Sequence, residues 1–441
     1  MKEKLAILGG TPAIDPKTVP EALFKWPIFT QEDEEAALDV IRRNAFSGTD
    51  ITLQFEQEVC SWLGTDYALA FCNGTMSLAA AMFAIGLGAG DEIICFTKTY
   101  WASIAHAANL GASAVFCNIN DMLSMAPEDI RRCISPRTKA IMVVHYLAYP
   151  CDMDAIMAIA REHDLKVIED VSHAQGGFYK EKRLGTFGDV GAMSMMSGKS
   201  FAAGELGMLV TSNRRIYERA IAYCHYERNN DKYILDSEEL KPYMHISLGG
   251  YKGRANQLCS AIGRVQLKYY DARCEKIREA MNYFWDQMEG LPGIRAIRVD
   301  ESTGSNMAGW YCPHGRYYPE ELHGLTVQRF CEAMQAEGIK SRPGANFCLH
   351  THNLFKTFDA NHLGRPSRSA YSDRDLAATD EACTSSVEKH CFSVPWFIQP
   401  DKQQIDRYVA AFRKVVENHM DLMTTDGAGD AGGRWYGTGN E

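Results

Sequence analysis

A lysine and an aspartate near the middle of the chain carry the chemistry this sequence can do. The apolar run 165–168 ends in Glu169-Asp170. A second run, 190–196, ends in Ser197-Gly198-Lys199, and Gly204-Glu205-Leu206-Gly207 opens a third over 208–211. An acid therefore closes one predicted strand and a lysine stands just past another. A lysine amine can form a Schiff base with an aldehyde. A carboxylate can hold a pyridine nitrogen protonated so that the ring accepts electrons. Pyridoxal phosphate (PLP) needs this pair. Taken singly, a lysine in a Gly/Ser-rich loop is ordinarily solvated, and an aspartate after a strand is ordinarily a turn or cap. Together, Asp170, His173, Ser194 and Lys199 fall within thirty residues at predicted strand ends, where open α/β sheets bind ligands.

The spacing resembles the DegT/DnrJ-type sugar aminotransferases, a branch of the fold-type I PLP enzymes. Their pattern runs E-D-x-[SA]-[QH]-A-x-G, then G-D-V-x-x-x-S, then Lys five residues after that Ser. This chain has Glu169-Asp170-Val171-Ser172-His173-Ala174-Gln175-Gly176, then Gly188-Asp189-Val190, then Ser194 and Lys199. The resemblance runs from about residue 4 to about residue 420, with Leu8-Gly9-Gly10-Thr11-Pro12 and Arg342-Pro343-Gly344-Ala345-Asn346 as its outer flags. It implies an aminotransferase with PLP as cofactor, Lys199 as the Schiff-base lysine and Asp170 on the ring nitrogen. The implied amino donor is glutamate or glutamine. The implied acceptor is a nucleotide-linked keto-sugar or a keto-cyclitol.

The resemblance also places the rest of the cofactor site. Asn73-Gly74-Thr75 follows a predicted strand and opens a predicted helix, where free N–H groups suit an anion; Gly74 and Thr75 are the implied phosphate contacts, and Ser194 is a second through its hydroxyl. Thr99-Tyr100-Trp101-Ala102-Ser103 is similar to the family's T-[FWY]-x-A-[ST] segment, making Tyr100 the ring-stacking aromatic, with Trp101 the runner-up. His173 matches a position near the PLP phenolic oxygen. Relatives carry N-Y-R before a long helix, and its Asn reaches the phosphate of a partner subunit. Aligning on Arg254 puts Lys252 at that Asn, where an ammonium can serve as the donor. This implies a homodimer with shared active sites. The family's G-E-G-G loop is altered to Gly204-Glu205-Leu206-Gly207, which is expected to reshape the substrate mouth. His350-Thr351-His352, without a nearby carboxylate or Cys set, gives no metal site.

These residues need a doubly wound scaffold, and the sequence offers one. From residue 67 short apolar runs alternate with helical stretches. Strands are expected at 67–71, 92–95, 112–117, 140–144 and 166–168, and helices at 76–85, 101–110 and 153–163. Such alternation predicts βαβ units and an α/β, mostly parallel sheet flanked by helices, of the seven-stranded type in the implied fold. The helix-prone stretch 253–289 is expected to carry the chain from a large PLP-binding domain with an N-terminal arm (1–270) into a smaller C-terminal α+β domain (271–424). Loops are expected at 230–250 and 300–318. The tail 425–441, rich in Gly, Asp and Asn, is expected to be disordered.

Composition excludes other classes. Of 441 residues 46% are hydrophobic and 23% charged, ordinary for a globular enzyme. A net charge of −10 with no long basic run argues against nucleic acid and anionic membranes; Arg131-Arg132 and Arg214-Arg215 read as solvated helix faces. No apolar run is long enough for a membrane helix, and the start of the chain lacks a secretory signal, so the expected location is cytoplasmic. The 14 cysteines are scattered, the nearest two being Cys383 and Cys391, which excludes CxxC motifs. Three rivals remain: a PLP-dependent sugar dehydratase or lyase, a non-catalytic PLP-binding regulator, and a nucleotide-binding α/β protein. Sugar-dehydrating relatives carry His in place of the lysine, no DNA-binding module is present, and neither GxGxxG nor a Walker A sequence occurs.

Overall fold

A computed structural model of the chain describes residues 3–352, 355 and 390–423. The tail expected to be disordered and Cys383 lie outside them. The chain opens as an arm of 3-10 turns (Ala6–Leu8, Pro16–Thr18, Glu21–Leu23), followed by helices α1 (Gln31–Arg42) and α2 (Asp50–Leu63). Thr30 and Asp33 cap the start of α1 reciprocally, and Gly64, at φ 72°, ends α2.

Strand and helix then alternate: β1 (Tyr67–Phe71), α3 (Gly74–Ala84), β2 (Glu92–Phe96), α4 (Ala107–Leu110), β3 (Ser113–Cys117), α5 (Pro127–Cys133), β4 (Thr138–Val144), α6 (Met153–Glu162) and β5 (Lys166–Asp170). A small hairpin, β6 (Phe178–Tyr179) and β7 (Lys182–Arg183), precedes β8 (Val190–Ser194), β9 (Gly207–Thr211) and α7 (Arg214–Cys224). The large sheet has seven strands in the order β1-β9-β8-β5-β4-β2-β3. Every residue of β2 and β3 is buried, as expected where helices cover both faces of a parallel sheet. Only β9 runs against its neighbours. The stretch between β8 and β9 contains no crossover helix, so the chain returns antiparallel. Lys199 sits in that return.

Two expectations need correction. The stretch 101–110 is not one helix: Trp101–Ser103 is a 3-10 turn and α4 holds only Ala107–Leu110. The Ser103 hydroxyl is committed to Asp170 at 2.7 Å, which ties this turn to the sheet. The stretch 300–318 is not all loop either. It contains β11 (His314–Tyr317), the middle strand between β10 (Ile294–Ala296) and β12 (Cys391–Ser393) in a three-stranded antiparallel sheet. A four-residue strand gains its hydrogen bonds only from partners distant in sequence, so no local periodicity announces it.

Between the two sheets runs α8 (Gln257–Gln287), 31 residues long. The C-terminal unit adds α9 (Val327–Ala336) and α10 (Lys402–Glu417). The N-terminal arm packs onto this distant unit. Glu337, fully buried after α9, accepts from Ala6 N at 2.8 Å, Ala13 N at 2.9 Å and Lys414 Nζ at 2.9 Å. One carboxylate thus satisfies two backbone donors and an ammonium from opposite ends of the chain.

Glu337→Ala removes that acceptor and leaves the buried Lys414 ammonium without its counter-charge, bonded only to Thr11 O at 2.8 Å. The expected loss is about 3–5 kcal/mol in urea unfolding, with the arm becoming open to protease before the rest. An unchanged unfolding midpoint together with a protected arm refutes this role.

Candidate active site

The site residues gather at the carboxyl edge of the large sheet. Asp170 is the last residue of β5 and is buried. Its Oδ2 accepts from Ser103 Oγ at 2.7 Å and its Oδ1 from Ser172 N at 3.0 Å. Because Ser103 gives its proton to Asp170, the 3.1 Å contact between Thr99 Oγ1 and Ser103 Oγ has Thr99 as donor. Both oxygens of this buried carboxylate thus have a hydrogen-bond donor.

Lys199 is nearly fully buried in the β8–β9 return. Burial pushes its amine down to about 8, against the opposing pull of Cys312 and Asp170. An amine near neutrality can act both as nucleophile and as base. The return is fixed from three sides. Trp26 Nε1, from the N-terminal arm, donates to Lys199 O at 2.8 Å. Ser200 Oγ donates to Gln175 Oε1 at 2.8 Å. The Gln175 amide in turn donates to Ser172 O at 3.0 Å and Ser194 O at 2.6 Å, locking the β5 and β8 ends together.

His173 is buried between Tyr146 and Tyr311, its ring 5.4 Å and 4.7 Å from theirs. Burial first, then the charges of Lys199 and His314, hold its imidazole well below its usual range, so it is neutral. Nδ1 accepts from Leu147 N at 3.3 Å, which leaves Nε2 carrying the proton as a donor.

The anion cradle is built by close approach. Gly74 begins α3, with the Asn73 side chain capping Met76 N at 2.9 Å. A Cβ on Gly74 would lie 2.5 Å from Ser194 Cβ and 2.7 Å from its Cα, so only glycine lets the helix start reach the end of β8. Thr75 lies in the same first turn, half-buried. Ser194 Oγ accepts from Met196 N at 3.3 Å. A helix N-terminus faced by a hydroxyl is a phosphate site. With Asp170, His173 and Lys199 around it, the donor set fits PLP.

The Tyr100 ring is 37% exposed and 5.0 Å from that of Trp101, which packs, partly buried, against the core. Lys252 and Arg254 place their cations 5.5 Å and 5.8 Å from the Tyr226 ring. Their backbone borders the cradle: Phe71 pairs with Arg254, and Cys72 N donates to Gly253 O at 2.8 Å. In the altered Gly204-Glu205-Leu206-Gly207 loop, Leu206 is fully buried in the core. His350 Nδ1 pairs with Thr97 Oγ1, and no metal-ligand cluster occurs among the described residues.

Sequence reasoning missed Tyr146, Tyr311 and Trp396. Tyr146 bonds Asn346, one of the C-terminal flag residues, and so brings the Arg342–Asn346 segment over the site. Ser103 and Ser172 stood within quoted motifs, at positions 4 and 2 residues from Thr99 and Asp170, and could have been found there. Tyr311 had no motif to mark it.

Comparisons with known proteins show the family to which this chain is related. The model of the DegT/DnrJ/EryC1/StrS aminotransferase family matches residues 27–412. A Micromonospora echinospora protein named as an L-glutamine:3-amino-2,3-dideoxy-scyllo-inosose aminotransferase is 32% identical, over 80% of this chain and 83% of its own. A GDP-perosamine synthase of Vibrio cholerae is 31% identical, over 77% and 88%. The X-ray structure of an aminotransferase from Psychrobacter cryohalolentis superposes with a TM-score of 0.76 at 27% identity, over 90% of this chain and 100% of that one.

Gly74→Ala forces α3 away from Ser194. The expected result is at least about a tenfold loss in affinity for a phosphate-bearing ligand such as PLP, with far-UV circular dichroism unchanged. Titration of the cofactor-free protein measures it, and wild-type affinity overturns the cradle.

Proposed function

The chain belongs to the DegT/DnrJ/EryC1/StrS aminotransferase family, and from that premise we propose that it moves an amino group from glutamine or glutamate to a keto-cyclitol or a nucleotide-linked keto-sugar. It is a PLP-dependent aminotransferase. The acceptor class rests on what the relatives named above act on, a scyllo-inosose derivative for one and perosamine synthesis for the other. The observation that carries the reading is a buried lysine amine, held near neutrality, beside a carboxylate with donors on both oxygens at the sheet's carboxyl edge.

When bound, PLP supplies an aldehyde that condenses with amines and a ring that takes up electrons released at a neighbouring carbon. Lys199 Nζ would be the amine that holds the aldehyde and gives it up to the donor's amine. Freed, Nζ takes the proton from the donor's α-carbon as general base and returns it as general acid. Asp170 holds the proton of the ring nitrogen. His173 Nε2–H would donate to the phenolic oxygen. Gly74, Thr75 and Ser194 would hold the phosphate, and Tyr100, with Trp101 beside it, would cover the ring.

The same reading makes the enzyme a cytoplasmic homodimer with shared sites. No helix among the described residues is long and apolar enough to cross a membrane. The cysteines among the described residues are free thiols, most of them buried, as suits a reducing compartment. Tyr243 and Ile246, 57% and 75% exposed, lead an apolar surface up to Lys252, where a second copy brings its own cradle within reach of Lys252 and Arg254.

Mixing PLP-loaded protein with glutamate, or with glutamine, should convert the absorbance to that of the pyridoxamine form and identify the donor. Lys199→Ala should abolish that change, and full turnover by this variant sinks the assignment. Asp170→Asn should slow it by orders of magnitude, since a neutral amide cannot hold the ring proton. A mixture of Lys199→Ala with the Lys252→Ala, Arg254→Ala double variant should recover activity, because a mixed dimer regains one intact site. A strictly monomeric active enzyme in solution scattering refutes the sharing.

A further inference from the structure

Tyr311 occupies an unusual stretch of backbone. Ala308, Trp310 and Cys312 all have positive φ, at 45°, 50° and 53°, a conformation that costs non-glycine residues energy. The small sheet does not require it, since β11 starts only at His314. The path is imposed from both sides. Trp396 Nε1 donates to Gly309 O at 2.9 Å. A Cβ on Gly309 would lie 2.5 Å from the Cβ of Ser200, the neighbour of Lys199. What the path achieves is the aim of one ring. Lys199 Nζ stands 4.2 Å from the Tyr311 centroid, and the His173 ring lies 4.7 Å from it. Behind Tyr311, the Trp396 ring stands edge-on at 6.4 Å, backed by Trp26 at 5.3 Å. Trp26 is also the residue that holds the Lys199 carbonyl.

We infer that the π face of Tyr311 is the seat of the Lys199 amine in its protonated form, and so fixes where the lysine carries its proton between accepting and returning it. The inference rests on the proposed role of Lys199. Among the described residues Nζ has no hydrogen bond or ion pair; the ring is its contact. An ammonium on a side chain 9% exposed, with no protein acceptor, is poorly solvated, and a ring quadrupole recovers part of that cost while leaving the amine unbonded and free to move. A carboxylate in the same place would hold the proton too firmly for a base that must release it at each turnover. The other groups that act on the amine are Cys312 and Asp170, which favour its charge; His173, beside the same ring, is neutral, and His314 acts on it from beyond. Neither Asp170 nor Cys312 bonds to Nζ, so their pull is at a distance, and the ring alone is in contact.

The test needs neither cofactor nor substrate. Cofactor-free protein is treated with acetic anhydride across a pH series, and acetylation of the Lys199 peptide is read by mass spectrometry. Only the neutral amine reacts, so the half-reactive pH reports its protonation, expected near 8 in the wild type. Tyr311→Phe keeps the π face and should keep that midpoint. Tyr311→Leu keeps the burial and removes the face; its midpoint should fall by about half to one pH unit. Should the Leu variant fail to fold, Tyr311→Met decides by the same criterion. A Leu or Met variant with an unmoved or raised midpoint overturns the inference, as does a Phe variant that shifts as far as Leu. A protein that fails to take up PLP at all defeats the proposed function instead, and does so in a separate measurement.

Discussion

Two carboxylates stand side by side in the buried centre of a parallel sheet, and the site depends on how each is satisfied. Glu169 and Asp170 end β5 at 0% and 3% exposure, where an unpaired charge is untenable. Strand alternation sends them to opposite faces. Glu169 accepts from Gly185 N at 2.8 Å and from Phe187 N and Gly188 N at 2.7 Å each. His145 Nε2 lies 3.2 Å from it, and because His145 Nδ1 accepts from Cys151 N at 3.1 Å, the imidazole serves Glu169 as a donor. The loop gripped by Glu169 leads straight into β8, so this carboxylate sets where β8 begins and hence where Ser194 and Lys199 fall. Asp170, on the other face, is left to serve the chemistry.

Close backbone approach does the rest of the positioning. A Cβ on Gly207 would lie 2.2 Å from Asn73 O, and one on Gly191 2.4 Å from Gly185 O. With Gly74, these contacts draw β1, β8 and β9 together so tightly that the helix start, the strand hydroxyl and the lysine loop share one small volume. The Gln175 amide and the Tyr270 hydroxyl, which donates to Gln175 O at 2.8 Å, then lock the loop. Positioning of this kind spares the reaction the entropy of assembling its groups.

The electrostatics divide by residue type. Burial pushes both nitrogen bases, Lys199 and His173, towards neutrality, while Asp170 accepts from Ser103 Oγ and Ser172 N. A neutral donor and an amine near neutrality within one site suit proton transfer at carbon. The aromatic group of Tyr146, Tyr311, Trp396 and Trp26 encloses the two bases and supplies the low-dielectric surroundings that make those shifts possible.

The sequence by itself determined the candidate site residues that lie close together in the chain. Glu169-Asp170 through His173, Ser194 and Lys199 were legible because one strand end and the next loop carry them, at spacings that covalent connectivity fixes. The alternation of strands and helices was legible for the same reason, since burial on both faces leaves a local hydrophobic record. What only the tertiary structure decided comes from contacts between distant segments. β11 formed because β10 and β12 lay beside it. The helix expected over 101–110 broke because Ser103 bonds Asp170, 67 residues away. The arm's Trp26 reached Lys199 across 173 residues, and Tyr311 reached it through a backbone path that no motif announces. Side chains that meet only after the sheet has closed leave no periodicity in the chain, because their partners are set by the packing of whole elements rather than by neighbours in sequence.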